Sequence, residues 1–172
     1  MNDKLAALFA RRSVRKYTDE QVSNEMVQHL LEAAMAAPSA CAKDPWRFVV
    51  VRDRSRLAAI AAGLPNGPML SNAAVGIVVC GDMDVAHGNL ESYMLQDCSA
   101  AIENLLLAVS MLGLGACWLG VHPKEDRMTL LTEILDLPPT IVPVCAVAIG
   151  HPTDTPAPRT RFNNDYVHQE KW

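Results

Sequence analysis

The sequence is short of most features that would announce a chemistry. Aromatic residues are scarce, with three each of Trp, Tyr and Phe among 172 residues, so there is no run of exposed rings on which nucleic-acid bases would stack. Positive charge is not in excess: 15 Lys and Arg face 19 Asp and Glu, a formal net charge of −4, and no global basic field argues for a nucleic-acid partner. Cys-x-x-Cys and His-Glu-x-x-His are both missing and the histidines stand alone, which speaks against a metal site. Neither the Gly-x-Gly-x-x-Gly dinucleotide fingerprint nor a Walker A loop is present. No apolar run is long enough for a membrane span, because Asp97, Glu103 and Asn104 interrupt the best one. Met1-Asn-Asp-Lys4 lacks the charged and apolar regions of a signal peptide. The cysteines, Cys41, Cys80, Cys98, Cys117 and Cys145, are odd in number, scattered and mostly inside apolar runs. They read as reduced core residues of a cytoplasmic protein.

What is there fits one globular domain spanning 1–172. Half the residues are apolar and a fifth are charged, enough to bury a sizeable core. The organising element is a long helix from Asn89, a plausible cap, to Gly113, apolar on nearly every side after Ile102 and therefore central and buried. Gly113-Leu-Gly115 stops it, and Ala116–Val121 reads as a short buried strand in which Gly120 exposes backbone to a flat ligand. Around this core the patterning predicts helices over 3–10, 24–36 (capped by Ser23), 54–62 and from Pro123 to about Leu137. Strands are predicted over 46–51, 73–80 and 141–149. From His151 to Trp172 the prolines keep the chain extended and apolar residues are too sparse for a core. Such a tail dangles or lies along another surface. Its closing aromatics favour an arm packed on a partner subunit.

Three stretches could carry chemistry. Arg11-Arg-Ser-Val-Arg15 offers forked donors and a hydroxyl suited to a phosphate, although arginines after a helix are commonly just solvated, as Arg159-Thr-Arg161 in the tail would also be. Ala37-Pro-Ser-Ala-Cys-Ala-Lys-Asp-Pro-Trp-Arg-Phe48 is a rigid loop of small residues, either a plain connection anchored by Trp46 or a wall that a planar ring can approach. Gly113-Leu-Gly-Ala-Cys-Trp-Leu-Gly-Val-His-Pro123 has glycines after a helix, not before one, which excludes a dinucleotide turn. Cys117 and His122 lack an orienting third group and read as a core thiol and a loop histidine.

In this order and spacing, Arg11-Arg-Ser-Val-Arg-Lys-Tyr17, Ala37-Pro-Ser-Ala40 followed by Pro45-Trp-Arg-Phe48, the stretch Gly113–Pro123 and the tail motifs Arg159-Thr-Arg161 and Val167-His-Gln-Glu-Lys-Trp172 resemble the nitroreductase family of flavin enzymes over essentially the full chain. The resemblance implies an α+β fold, a three-layer sandwich with a mixed central β-sheet flanked by helices. It also implies an intertwined homodimer with FMN at the interface and an extended C-terminal arm, residues 152–172, on the partner. By it, Arg11, Arg12 and Ser13 would hold the FMN phosphate, joined by Arg159 and Arg161, and Arg15 would sit at the pyrimidine edge. Pro38, Ser39 and Ala40 would reach the flavin from the other subunit, and the backbone amides of Leu119 and Gly120 would face the ring. The implied activity is oxidoreduction: NAD(P)H reduces FMN and leaves, and a nitroaromatic, quinone or enone takes the electrons in a ping-pong cycle. The cofactor carries the chemistry, so no catalytic acid, base or nucleophile and no metal is expected. A non-catalytic flavin carrier or sensor is the alternative.

One departure from the pattern has a measurable consequence. Many relatives carry Asn at position 42 and Gln at position 44, where this chain has Ala42 and Asp44. Amide contacts to the pyrimidine edge are thereby lost, and a carboxylate is placed near a ring that becomes anionic on reduction unless Lys43 or Arg15 offsets it. An atypical flavin midpoint potential is therefore expected, and it should move when Ala42→Asn and Asp44→Gln are introduced. Identical midpoints in wild type and variants would dispose of this expectation.

Overall fold

Strands and helices follow from where the apolar residues recur. The structure, a computed structural model, describes residues 2–172, so Met1, which opens the stretch read above for a leader peptide, lies outside them. A 3-10 turn at Asp3–Leu5 leads into α1 (Ala6–Ala10). There follow α2 (Asn24–Met35), β1 (Trp46–Val51), α3 (Arg54–Gly63), β2 (Val75–Asp82), α4 (Glu91–Met111), β3 (Gly115–Gly120), α5 (Glu125–Leu135) and β4 (Ile141–Gly150). Ser23 caps α2 as expected, its hydroxyl oxygen accepting from Met26 N at 3.1 Å, and Asp53 does the same for α3 through Arg56 N at 2.9 Å.

Two helix starts differ from the sequence reading. Asn89 does not cap α4: it sits in the left-handed region with φ 52° and donates its side-chain amide to Met83 O at 2.9 Å. Leu90 takes the cap position without a side-chain cap bond. Pro123 lies ahead of α5, after a cis His122–Pro123 peptide, and the helix begins at Glu125. It also ends earlier than expected, at Asp136 with φ 51°.

The sheet runs β1-β2-β4-β3, and all three neighbouring pairs are antiparallel. The mixed character implied by the resemblance is confined, among the described residues, to one parallel bridge between Ser13 and Ala116. β2 and β4 lie in the middle and alternate between two cores, which is why both read as unbroken apolar runs. On one face Ile77, Val79, Cys145, Val147 and Ile149 meet α2 and α4. On the other, Val78, Cys80, Ala146 and Ala148 meet the layer of α3 and α5. The result is helices, sheet and helices in three layers. Pro143 cannot donate to the ladder, and the register slips there: Val79 faces Cys145 while Cys80 faces Pro143. Val144, left over, turns its carbonyl to Val121 N and His122 N, at 3.3 and 3.1 Å. This ties the end of β3 to its neighbour. Four cysteines are buried as expected, whereas Cys41 is exposed.

The expected arm divides in two. Its first part packs on its own chain: Thr18 N donates to His151 O at 2.9 Å, Thr153 N to Lys16 O at 3.2 Å and Arg159 N to Phe9 O at 3.1 Å. Beyond that, Phe162, Tyr166 and Trp172 stand 76%, 80% and 100% exposed.

Leu105, fully buried where α4 lies on the sheet, is the sharpest probe of this architecture. Leu105→Ala should cost about 2–5 kcal/mol through lost burial and a residual cavity. Urea unfolding followed by circular dichroism would register it as a lower midpoint at unchanged slope; a loss under about 0.5 kcal/mol, the range of surface substitutions, would contradict the burial.

Candidate active site

The site grows from an edge strand. β3 is the last strand of the sheet, and residues 13–17 cover only the beginning of its outer side, with Val14 N donating to Ala116 O at 2.8 Å. The cover is held down by Tyr17, whose hydroxyl reaches Val14 O at 2.7 Å and Ala148 O at 3.2 Å. Burial of the phenol, and to a lesser degree the neighbouring Cys117, push its pKa upward, so the hydroxyl keeps its proton and remains a donor. Gly150 makes room for this ring: a Cβ there would lie 2.9 Å from Tyr17 Cγ.

Beyond Ala116 the edge opens into a cleft of about 800 Å³. Arg15 and Lys16 form one wall, the turn 64–72 another, and Cys117–Gly120 the floor, with Arg127 beside it. Three expected site residues, Arg15, Leu119 and Gly120, therefore meet here. In an antiparallel ladder alternate residues turn their backbone groups to opposite sides. The contact to Ala116 O sets the outward positions as Ala116, Trp118 and Gly120. Gly120 O accepts from Arg127 Nη1 at 2.8 Å, in keeping with that alternation. Its N–H faces the open side, whereas Leu119, whose amide was also expected to face a ring, turns its backbone toward Ala146, because the alternation lets only one of two neighbouring amides point outward. A Cβ on Gly120 would meet nothing within 4 Å, so a planar group can rest there directly on backbone. Among the described residues no Asp or Glu lines the cleft. Cys117 on its floor has its pKa raised by burial, against a smaller downward pull from Arg15, so it is a protonated thiol and no nucleophile.

The remaining basic residues gather next to the cleft rather than in it. Arg11 Nε lies 3.3 Å from Glu103 Oε1, Arg12 Nη1 donates to Ala157 O, and Ser13 is exposed between them and Arg15. The tail brings Arg159 to the same place through Phe9 O. Its pKa is lowered first by Arg161, then by desolvation, then by Arg12 and Arg11. Arginine pairs more than a hundred residues apart in sequence thus crowd together in one chain, an arrangement that an anion would relieve.

Pro38, Ser39 and Ala40 stand apart from this chain's own cleft. They border a shallow hollow of about 300 Å³ with Tyr93, Gln96 and Asp97. The loop is strained: Cys41, Ala42 and Asp44 have φ of 51°, 50° and 50°, each unfavourable for a residue other than Gly. Hydrogen bonds hold it there. Asp44 N donates to Ser39 Oγ at 3.0 Å, Ser39 Oγ donates to Asp44 Oδ1 at 2.5 Å, and Ala40 N donates to Asp97 Oδ1 at 2.9 Å. The Asp44 carboxylate is therefore engaged within its own loop. Asp97 is 5% exposed and its Oδ2 has no partner. A lone acid in an apolar run was the visible signal for Asp97. Nothing in the pattern pointed to Arg127 or Asn72, which also line the cleft.

The model of the nitroreductase family matches residues 8–65 and 58–151. A protein of Archaeoglobus fulgidus, provisionally named NADH dehydrogenase/NAD(P)H nitroreductase, is 45% identical over 175 residues covering 100% of both chains. The Bacillus subtilis FMN reductase [NAD(P)H] is 30% identical, covering 100% of this chain and 75% of its own. A provisionally named nitroreductase from Desulfovibrio desulfuricans, crystallised in complex with FMN, superposes with a TM-score of 0.85 at 34% identity, covering 100% of this chain and 99% of that one. The chain belongs to the nitroreductase family.

Proposed function

We propose that this protein is an FMN-dependent oxidoreductase that passes electrons from NAD(P)H to a small organic acceptor such as a nitroaromatic, quinone or enone. One observation carries the reading: an open cleft at the sheet edge has a bare glycine in its floor and cations but no carboxylate on its walls. The residues present suit FMN. A flat ring can lie on Gly120, Arg15 offers a guanidinium to its electron-rich edge, and Arg11, Arg12, Arg159 and Arg161 together with Ser13 form the basic cluster its phosphate would need. When bound, FMN supplies the hydride chemistry. The chain's own work is to bind, orient and neutralise: the outward N–H of Gly120 gives a fixed donor, Leu119 packs the floor, and Arg15 favours negative charge on the ligand.

The same reading makes the protein a homodimer. Pro38, Ser39 and Ala40 lie away from this subunit's cleft, which suits a loop that completes the partner's site, and the exposed aromatics of 160–172 suit an arm laid on that partner. The reading also places the protein in the cytoplasm; the described residues contain no helix long and apolar enough to cross a membrane.

Purified protein should be yellow or become so with FMN, bleach within seconds of mixing with NADPH, and recover its colour with a nitroaromatic. Flavin that stays oxidised for minutes in a stopped-flow cell would leave only the carrier or sensor reading standing. Arg12→Ala and Arg161→Ala should each weaken FMN binding about tenfold or more, as expected for a charge-assisted hydrogen bond. Fluorescence titration of apoprotein measures this, and unchanged affinity in both would remove the arginine cluster from the phosphate.

A further inference from the structure

The flavin reading gives a role to Arg15 and to the arginines near Phe9, and leaves Lys16 and Arg127 of the cleft unexplained; of the two, Arg127 is the one held in place by a hydrogen bond to the floor. Arg127 stands in the first turn of α5 and lines the cleft. Its Nη1 donates to Gly120 O at 2.8 Å. Its Nε is buried with no acceptor. Among the described residues no carboxylate pairs with it: Glu125 and Asp126 precede it on the same helix, but the ion pairs present involve Arg11, Arg47, His122 and His151. A guanidinium has five N–H donors on a rigid fork, and one bond to a carbonyl leaves most of them unused.

The position matters as much as the vacancy of partners. Because Arg127 is braced on the carbonyl of Gly120, its charge is fixed beside the floor on which a planar ligand would lie. Arg15 and Lys16 share the cleft, and no acid opposes them. A charge so placed acts on whatever stacks over Gly120, and it discriminates between ligands that differ only by an anionic group.

We infer that Arg127 is a specificity-determining residue which selects cleft ligands bearing a carboxylate or phosphate. The inference rests on the flavin reading above. The anion has two possible carriers, the nucleotide phosphate of the reductant or a carboxylate on the electron acceptor, and the two half-reactions separate them.

The test uses the holoenzyme in stopped-flow, with wild type, Arg127→Gln and Arg127→Lys. The reductive half-reaction compares NADPH with NADH; the oxidative half-reaction compares 4-nitrobenzoate with 4-nitrobenzyl alcohol. In at least one pair wild type should favour the more anionic member by roughly tenfold, the scale of one charge-assisted hydrogen bond. Arg127→Gln should bring that ratio close to one, with Arg127→Lys in between. Loss in the reductive pair assigns the contact to the nucleotide, and loss in the oxidative pair assigns it to the acceptor. If Arg127→Gln slows charged and neutral members equally, the side chain only braces Gly120 and the inference is overturned. Should that variant fail to fold, the wild-type ratio against ionic strength decides: a preference that shrinks with added salt supports the inference, and a flat one overturns it. Bound, reducible flavin without any anion preference sinks this inference alone. Protein that takes up no FMN sinks the flavin reading as well.

Discussion

An unfinished sheet edge is the constraint on which this molecule turns. Backbone N–H and C=O groups cannot be left both buried and unpaired, and an edge strand must have its open side covered, charged or bound. β3 solves this in stages. Residues 13 and 14 pair with Ala116, Arg127 takes the carbonyl of Gly120, and the edge between is left to the cleft. The surrounding structure keeps that opening in place. Tyr17 pins the covering segment over Gly150, and the register slip at Pro143 frees Val144 O to hold Val121 and His122. The floor of the cleft is therefore fixed by hydrogen bonds rather than by loop conformation.

Charge follows a similar division of labour. Among the described residues the cleft carries Arg15, Lys16 and Arg127 without a carboxylate, while Arg11, Arg12, Arg159 and Arg161 gather outside it, where Glu103 pairs with Arg11. In a chain of net charge −4, such segregation is local design rather than overall composition. Like charges brought together repel, and a nearby anion would offset that repulsion.

Much of this was legible in the amino-acid order. The strand at 46–51, the Ser23 cap, the buried character of the helix before Gly113 and the continuous apolar strands all follow from local pattern, because each depends on residues close in sequence. The chemistry-bearing stretches were visible as well, though mainly through their joint resemblance to a family. What could not be read depends on contacts distant in sequence or on fine backbone geometry. Asn89 looks like a cap but is drawn away by Met83 O. Pro123 looks like a first-turn residue but belongs to the corner before α5. The left-handed Cys41, Ala42 and Asp44 carry no glycine to announce them; their conformation is imposed by Ser39 and by Asp97 from another element. Arg127 is invisible because its role depends on the corner that folds α5 back toward β3.

The way the tail is fastened gives the chain end a graded character. Its anchoring runs through His151, Thr153, Ala157 and Arg159 and then stops, so that Phe162 and everything after it project without support from the same subunit. A protease meeting a lone subunit would find its first accessible bonds there, and a cut after Thr160 would carry away Arg161 while leaving Arg159 fastened to Phe9. Trimming would thus subtract one charge from the basic cluster without loosening the sheet, so the charge gathered there and the integrity of the fold are set by separate parts of the chain.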